Sequence, residues 1–413
     1  MNSTESISDD THLSCAYLDS GLSFGFSKVF ACGIVHDGIH PPVLVNNFKG
    51  GPIPWDFVQA ARSEIIRQNQ NGGHPNCKGC AHLTRRKKAS RPLPVNWLGI
   101  QHWQGCNLDC NYCSLNTRRS SPRRPPAGTP LSYYKVGETI QSLIAEKQLD
   151  ANAVIDWGGG GEPLLMPEFD SAFRLLARWG AEQWLHTNAT VFPASLKKGA
   201  IDPSRVHVIC SLDSGTRETY RRVKGPDLYA RVWQNLHAYS LAGAEVYAKY
   251  IVLPDNSSRL DLQSFVNDAA RFGRPILIGD IDLKTREVSD SIVEALAFLQ
   301  RAAQAARLRF QLGGLCMHSA LGNEVQRRVA LVASTMHVEE PEPESVRELE
   351  YLHKVAVSKA KWQRRSWIKR TFHRWRPPQR SCKLTPGKSF AAGASPGRDF
   401  CGQPGESSPG IFR

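Results

Sequence analysis

Apolar and polar positions along the chain change regime near residue 95. From there to about residue 310, short apolar runs alternate with stretches that carry an apolar stripe at helical spacing. NWLGI, AVIDW, QWLHTN, RVHVICSL, AEVYAKYIVL and PILIGDIDL read as six strands. Val136, Ile140, Leu143 and Ile144 mark one intervening helix, Leu262, Phe265, Val266 and Ala269 a later one, and Ile292, Leu296 and Leu299 the last. Strands joined through helices pair in parallel, because each crossover returns the chain to the end where the previous strand began. The pattern predicts an α/β fold on a parallel sheet over 95–310; periodicity does not say whether the sheet closes.

Outside this core the expectations are looser. Residues 1–20 are polar and predicted to be disordered. Residues 21–94 read as a small segment: β-rich runs at Leu22–Val35 and Val43–Phe48, the helix WDFVQAARSEIIRQ, the loop NGGHPNCKGC and a basic linker, TRRKKASRPLP. Residues 311–380 form a C-terminal extension, and 381–413, rich in Gly, Pro and Ser, read as a disordered tail. The opening MNSTESISDDTHLS has neither the basic start nor the apolar core of a signal peptide, and no apolar run approaches a membrane span, so the expected location is cytoplasmic.

A formal charge of +14 invites a nucleic-acid reading until its location is considered. Nine Lys and Arg, with no Asp or Glu, lie between Lys359 and Arg380. The excess therefore belongs mainly to the extension. There Ile368, Phe372 and Trp375 share a helical stripe, giving a basic amphipathic helix suited either to an anionic partner or to docking with its cationic face in solvent.

Eleven cysteines, an odd number, suit no disulfide framework in a chain this long. Five fall into two clusters. His74, Cys77, Cys80 and His82 form H-x2-C-x2-C-x-H, which reads either as a second metal site or as reduced thiols in a loop. Cys106, Cys110 and Cys113 follow the first core strand as C-x3-C-x2-C. Three thiolates are one short of a structural zinc site or a ferredoxin cluster. On a cubane of four irons they leave one iron open to a substrate or cofactor. The competing reading is a non-catalytic iron–sulfur or zinc protein serving electron transfer or structure.

In open parallel sheets, ligands bind at the carboxyl ends of the strands. The unusual residues of this chain collect there: GGGGEP after strand two, Asn188 after strand three, Ser211 and Asp213 after strand four. Lys249 in strand five and Asp280, Asp282 and Lys284 around strand six read either as substrate contacts or as a structural ion pair.

The triple-cysteine loop with Tyr112 just before its third cysteine, followed one β/α unit later by DWGGGGEP, resembles the radical S-adenosylmethionine (SAM) superfamily over about residues 95–285. The resemblance implies a partial (β/α)6 barrel and a [4Fe-4S] cluster on Cys106, Cys110 and Cys113, with SAM chelating the fourth iron. It implies SAM contacts from Tyr112, from the loop Gly158, Gly159, Gly160, Gly161, Glu162 and Pro163, and from Asn188, although Ala189 stands where Gly is common. Ser211 and Asp213 match positions that contact the SAM ribose, and Arg221 or Arg222 would reach its carboxylate; a polar strand end and a solvated helix face are the plainer alternatives. The implied activity is reductive cleavage of SAM to a 5′-deoxyadenosyl radical, fed by an external one-electron reductant of flavodoxin or ferredoxin type. The substrate stays open, with a peptide or small metabolite favoured because the core shows no RNA-binding appendage.

Overall fold

The computed structural model describes residues 10–35, 39–113, 130–282, 285, 287–313, 320–338 and, within 351–358, residues 351, 353–355, 357 and 358. The predicted basic helix of 359–380 and the tail 381–413 lie outside them. Twelve strands are described. β1 (Thr11–Ser14), β2 (Gly21–Phe24), β3 (Val29–Phe30), β4 (Val43–Val45) and β5 (Thr84–Lys87) precede the core. The core strands are β6 (Val95–Ile100), β7 (Leu149–Trp157), β8 (Glu182–Thr187), β9 (Val206–Ser211), β10 (Glu245–Val252), β11 (Ile276–Ile281) and β12 (Phe310–Leu312). Helices α1 (Ala16–Ser20) and α2 (Trp55–Gln70) belong to the first part. The crossovers carry α3 (Val136–Ala145), α4 (Phe169–Trp179), α5 (Ala194–Lys197), α6 (Arg217–Lys224), α7 (Tyr229–Ala242), α8 (Arg259–Arg271) and α9 (Asp290–Ala305), and α10 (Ala320–Thr335) packs on α9.

All six expected β/α units are present, and their strands stand in serial order in one ten-stranded sheet: β12-β11-β10-β9-β8-β7-β6-β2-β3-β4. From β12 to β2 every pairing is parallel. Serial order with right-handed crossovers keeps the helices on one face of the sheet. That face carries Leu98, Ile155, Leu185, Val208, Ala248 and Leu277, all buried, with Leu98 paired to Ile155, Leu185 to Val208 and Ala248 to Leu277 by the strand register. Against it α4 lays Phe169, Ala172, Phe173 and Leu176, spaced as one helical stripe. The opposite face holds a smaller apolar group of Trp184, Ile209, Tyr247, Ile276 and Ile278. Along β9, β10 and β11 this inner face turns polar toward the carboxyl ends, at Ser211, Lys249 and Asp280.

The first ninety residues depart from expectation. Residues 10–20, expected to be disordered, form β1 and α1, and the expected linker contains β5, which pairs antiparallel with β1 from Thr11↔Lys87 to Ser14↔Thr84. Arg86 Nε of β5 donates to Asp19 Oδ2 of α1 at 2.7 Å. Neither strand has an apolar period; each exists through a partner some seventy residues away. β2 pairs parallel with β6, so the N-terminal segment extends the core sheet. β12, three residues long, is a seventh parallel strand too short for periodicity to reveal. Among the described residues no helix is long and apolar enough to cross a membrane.

Phe173 is fully buried between Phe169, at 5.0 Å between centroids, and Trp157, at 6.2 Å. Phe173→Ala should lower unfolding free energy by about 3–5 kcal/mol, read from the urea midpoint at unchanged slope.

Candidate functional site

After β6 the chain runs without regular structure to Cys113, and its shape is set by two neighbours. The first is the end of α6: Asp109 N–H bonds Lys224 O at 2.9 Å and Asn111 N–H bonds Val223 O at 3.0 Å. The second is the glycine loop after β7. Gly161 N–H bonds Trp103 O at 2.6 Å and Glu162 N–H bonds Gly105 O at 2.7 Å. The approach excludes side chains, since a Cβ on Gly160 would lie 2.1 Å from Trp103 O and one on Gly161 2.1 Å from Gly105 O. The glycines thus let two backbones lie against each other, a requirement separate from any ligand.

Between these loops lies a cavity of about 190 Å³ at the carboxyl ends of the strands. Cys106, Cys110 and Cys113 line it, with Tyr112, Gly159, Gly160, Gly161, Glu162, Asn188 and Ser211. Those expected residues are brought together. Gly158 and Pro163 are not in its wall: Gly158 N–H bonds Ile100 O at 3.3 Å, and Pro163 opens a buried 3-10 turn. Among the described residues, no three His, Cys, Asp or Glu side chains are already closed on a metal position, and this holds for the three cysteines too.

Asp213 also departs from expectation. It is fully buried below the cavity, and both carboxylate oxygens are committed, Oδ1 to Ile251 N–H at 2.7 Å and Oδ2 to Lys224 Nζ at 2.5 Å and to the Tyr112 hydroxyl. Lys224 Nζ donates to Tyr112 Oη at 2.6 Å as well. A carboxylate so engaged supports the wall and does not reach a ribose. Arg222 bonds Asp255 O at 2.7 Å and, like Arg221, is exposed and outside the cavity wall. Lys249 and Asp280 pair at 2.8 Å, which realises the ion-pair alternative; Lys284 lies outside the described residues.

Three cavity residues escaped sequence reading. Lys224, 2% exposed, sits in RRVKG, where it reads as an ordinary cation at a helix end. Burial works against its charge, but Asp213 and then Cys110 and Tyr112 outweigh it and hold the ammonium well above the usual lysine value. His186, 3.3 Å from Asp156, follows the alternation of β8 with no motif to mark it. Thr187 Oγ1 donates to Glu162 Oε1 at 2.7 Å.

Electrostatically the cavity combines thiols with carboxylate and ammonium. Burial pushes the Cys110 thiol up to about 11 and raises Cys106 too. A cationic partner is therefore needed to keep these sulfurs as thiolates, and a thiophilic metal fits that donor set. Asn188 adds an amide: its Nδ2 bonds Asn107 Oδ1 at 2.9 Å and lies 3.8 Å from Cys106 Sγ. Burial pushes Glu162 up to about 7, although Thr187 Oγ1 and the amides of Asn188 and Leu164 donate to it.

The H-x2-C-x2-C-x-H loop does not close as a local four-ligand set. Cys77, Cys80 and His82 line a separate small pocket, while His74 stands outside its wall and its Nδ1 accepts from Asn76 N–H at 3.1 Å.

Removing one member of the buried Asp213–Lys224 pair strands the other. Asp213→Ala should cost about 3–5 kcal/mol in urea unfolding, and adding Lys224→Met should recover part of it, a pattern that independent surface residues would not give. For Glu162 the folded value lies above the ordinary carboxylate value, so the native chain holds the extra proton between them. Its contribution to stability is full below pH 4.5 and is lost as pH rises through about 7. Glu162→Gln should flatten that part of the stability profile of the metal-free chain.

Residues 100–265 match the family model described as the Radical SAM superfamily. A probable GTP 3′,8-cyclase of Aeropyrum pernix is 28% identical over 164 residues, 39% of this chain and 44% of that protein. A 7-carboxy-7-deazaguanine synthase of Methanothermobacter thermautotrophicus is 30% identical over 158 residues, 36% of this chain and 59% of that protein. The matched segments span about half the length of these relatives. The solved structure of Streptococcus suis SuiB bound to S-adenosylmethionine is a distant likeness, 14% identical with a TM-score of 0.40 over 70% of this chain and 59% of that one.

Proposed function

We propose that this chain, whose residues 100–265 belong to the radical SAM superfamily, is an enzyme that cleaves S-adenosylmethionine reductively and uses the radical to take hydrogen from a small metabolite. The observation that carries this reading is that three cysteines, and no fourth among the described residues, line one cavity whose opposite wall is a backbone-exposing glycine loop. When bound, a [4Fe-4S] cluster and SAM supply one-electron cleavage of a sulfonium to a 5′-deoxyadenosyl radical.

The chain's own residues hold and orient. Cys106, Cys110 and Cys113 offer thiolates. Lys224 and Asn188 place an ammonium and an amide beside them, offsetting the charge those thiolates gather. Gly159–Glu162 presents main chain to a small zwitterion, and Tyr112 supplies an aromatic wall fixed through its hydroxyl. Asn188 and Ser211 stand at neighbouring strand ends as polar contacts for a nucleoside. The substrate approaches along the inner face, where Ile209, Tyr247 and Ile278 lead to Ser211 and the Lys249–Asp280 pair. Among the substrates sequence reading favours, the names of the two relatives, a GTP cyclase and a deazaguanine synthase, support a small metabolite over a peptide. An external flavodoxin- or ferredoxin-like protein provides the electron.

Anaerobically reconstituted chain with dithionite and SAM should yield 5′-deoxyadenosine and methionine. Cys106→Ala, Cys110→Ala or Cys113→Ala should abolish both that product and the iron–sulfur absorption. A chain that binds about four irons yet never cleaves SAM would support the electron-transfer or structural alternative.

A further inference from the structure

We propose a second metal site, a single zinc ion held by Cys15, Cys32, Cys77 and Cys80, in the segment that precedes the core. The four cysteines come from distant places: Cys15 caps the start of α1, Cys32 follows β3, and Cys77 and Cys80 lie in the loop after α2. The fold brings all four into the wall of one pocket. Cys32 lies within electrostatic reach of Cys15, Cys77 and Cys80, and Cys77 of Cys15 and Cys80. All four are free thiols.

Local geometry suits them to ligation. Cys80 N–H bonds Cys77 O at 3.0 Å, closing a turn in which Gly79 takes φ +81°, and both cysteines of this C-x2-C pair line the pocket. Cys15 Sγ already accepts the Leu18 amide at 3.3 Å, the kind of N–H···S bond that supports a metal thiolate. The rest of the wall is largely apolar, including Leu18, Ile34 and Leu83; its polar members are Tyr17, Asn76 and His82, and it offers no carboxylate. Four soft donors without hard ones select zinc or iron–sulfur over magnesium or calcium.

Size separates those two. The pocket holds about 20 Å³, room for roughly one atom-sized guest, whereas the cavity of the three cysteines is about nine times larger. One tetrahedral ion at about 2.3 Å from each sulfur fits the small pocket, and a four-iron cubane does not. As with the three cysteines of the cavity, the thiols are not closed on a metal position here. The site would tie the ends of β1 and β3 to the loop after α2, in a segment whose strands are only two to four residues long.

The test uses the full chain purified under reducing, anaerobic conditions, with metals counted by mass spectrometry. The Cys106→Ala/Cys110→Ala/Cys113→Ala variant should lose its iron and keep about one zinc. Cys77→Ser/Cys80→Ser should lose the zinc and keep its iron. As a control against misfolding of the serine variant, cobalt is also exchanged into the otherwise unaltered chain. Four thiolates around cobalt give intense tetrahedral visible bands and a sulfur-to-cobalt charge-transfer band, which must survive loss of the three cavity cysteines. A weak octahedral spectrum, about four further irons instead of zinc, or disulfides among the four cysteines in place of metal would each overturn the proposal. None of these readouts depends on SAM cleavage, so failure here and failure of the radical reading are told apart.

Discussion

The buried contact of Asp213 with Lys224 and Tyr112 ties together three elements of the cavity wall. Tyr112 belongs to the cysteine loop, Asp213 to the end of β9, and Lys224 to the last turn of α6. Two of the loop's amides end on the carbonyls of Val223 and Lys224, so the same turn that delivers the ammonium also fixes the backbone of Asp109 and Asn111. An ion pair with 2% and 0% exposed side chains is an expensive way to hold a wall, and apolar residues of equal volume would often be as stable. What apolar packing would lack is direction. Lys224 points one cation toward the floor of a cavity lined by three sulfurs, and Asp213 supplies the compensation that lets this cation exist away from water. Structure and site chemistry are served by one group of atoms.

The glycine loop closes the cavity from the other side under a different constraint. Its hydrogen bonds to Trp103 O and Gly105 O are backbone to backbone, and the spacing leaves no volume for a Cβ at Gly160 or Gly161. A glycine run read as ligand-binding is therefore also a packing device, and the two roles reinforce each other. Main chain that must lie against the cysteine loop is, for the same reason, main chain left bare on the cavity side. Glu162 then turns inward and is satisfied by Thr187, Asn188 and Leu164, which locks the end of β8 to the end of β7.

What was legible from sequence follows the range over which each signal acts. The six core strands, the α8 stripe and the three-cysteine spacing are local patterns, and all are present in the fold. β1 and β5 were invisible because each is polar and pairs only with the other across some seventy residues. β12 fails for length. The family resemblance places Asp213 among the SAM contacts, with a polar strand end as the alternative; here the residue has φ +54° and turns beneath the cavity, its carbonyl held by Asn256 Nδ2 at 2.9 Å. Lys224 is the converse, a helix-end lysine by every local criterion that becomes a wall residue only because α6 ends against the cysteine loop.

The same limit governs the N-terminal cysteines. In sequence, Cys77 and Cys80 sit between His74 and His82, and proximity along the chain makes those histidines the natural partners. In space, proximity is set by β2 joining the edge of the core sheet beside β6, which brings the chain around Cys15 and Cys32 over the loop that follows α2. Ligand count and room then separate the two cysteine groups. Three thiols around a large cavity leave coordination open for something that must arrive and depart, whereas four thiols around a space for one atom leave nothing open. A closed set of that kind has no use in turnover, but it suits a segment of short strands that rests on the sheet edge.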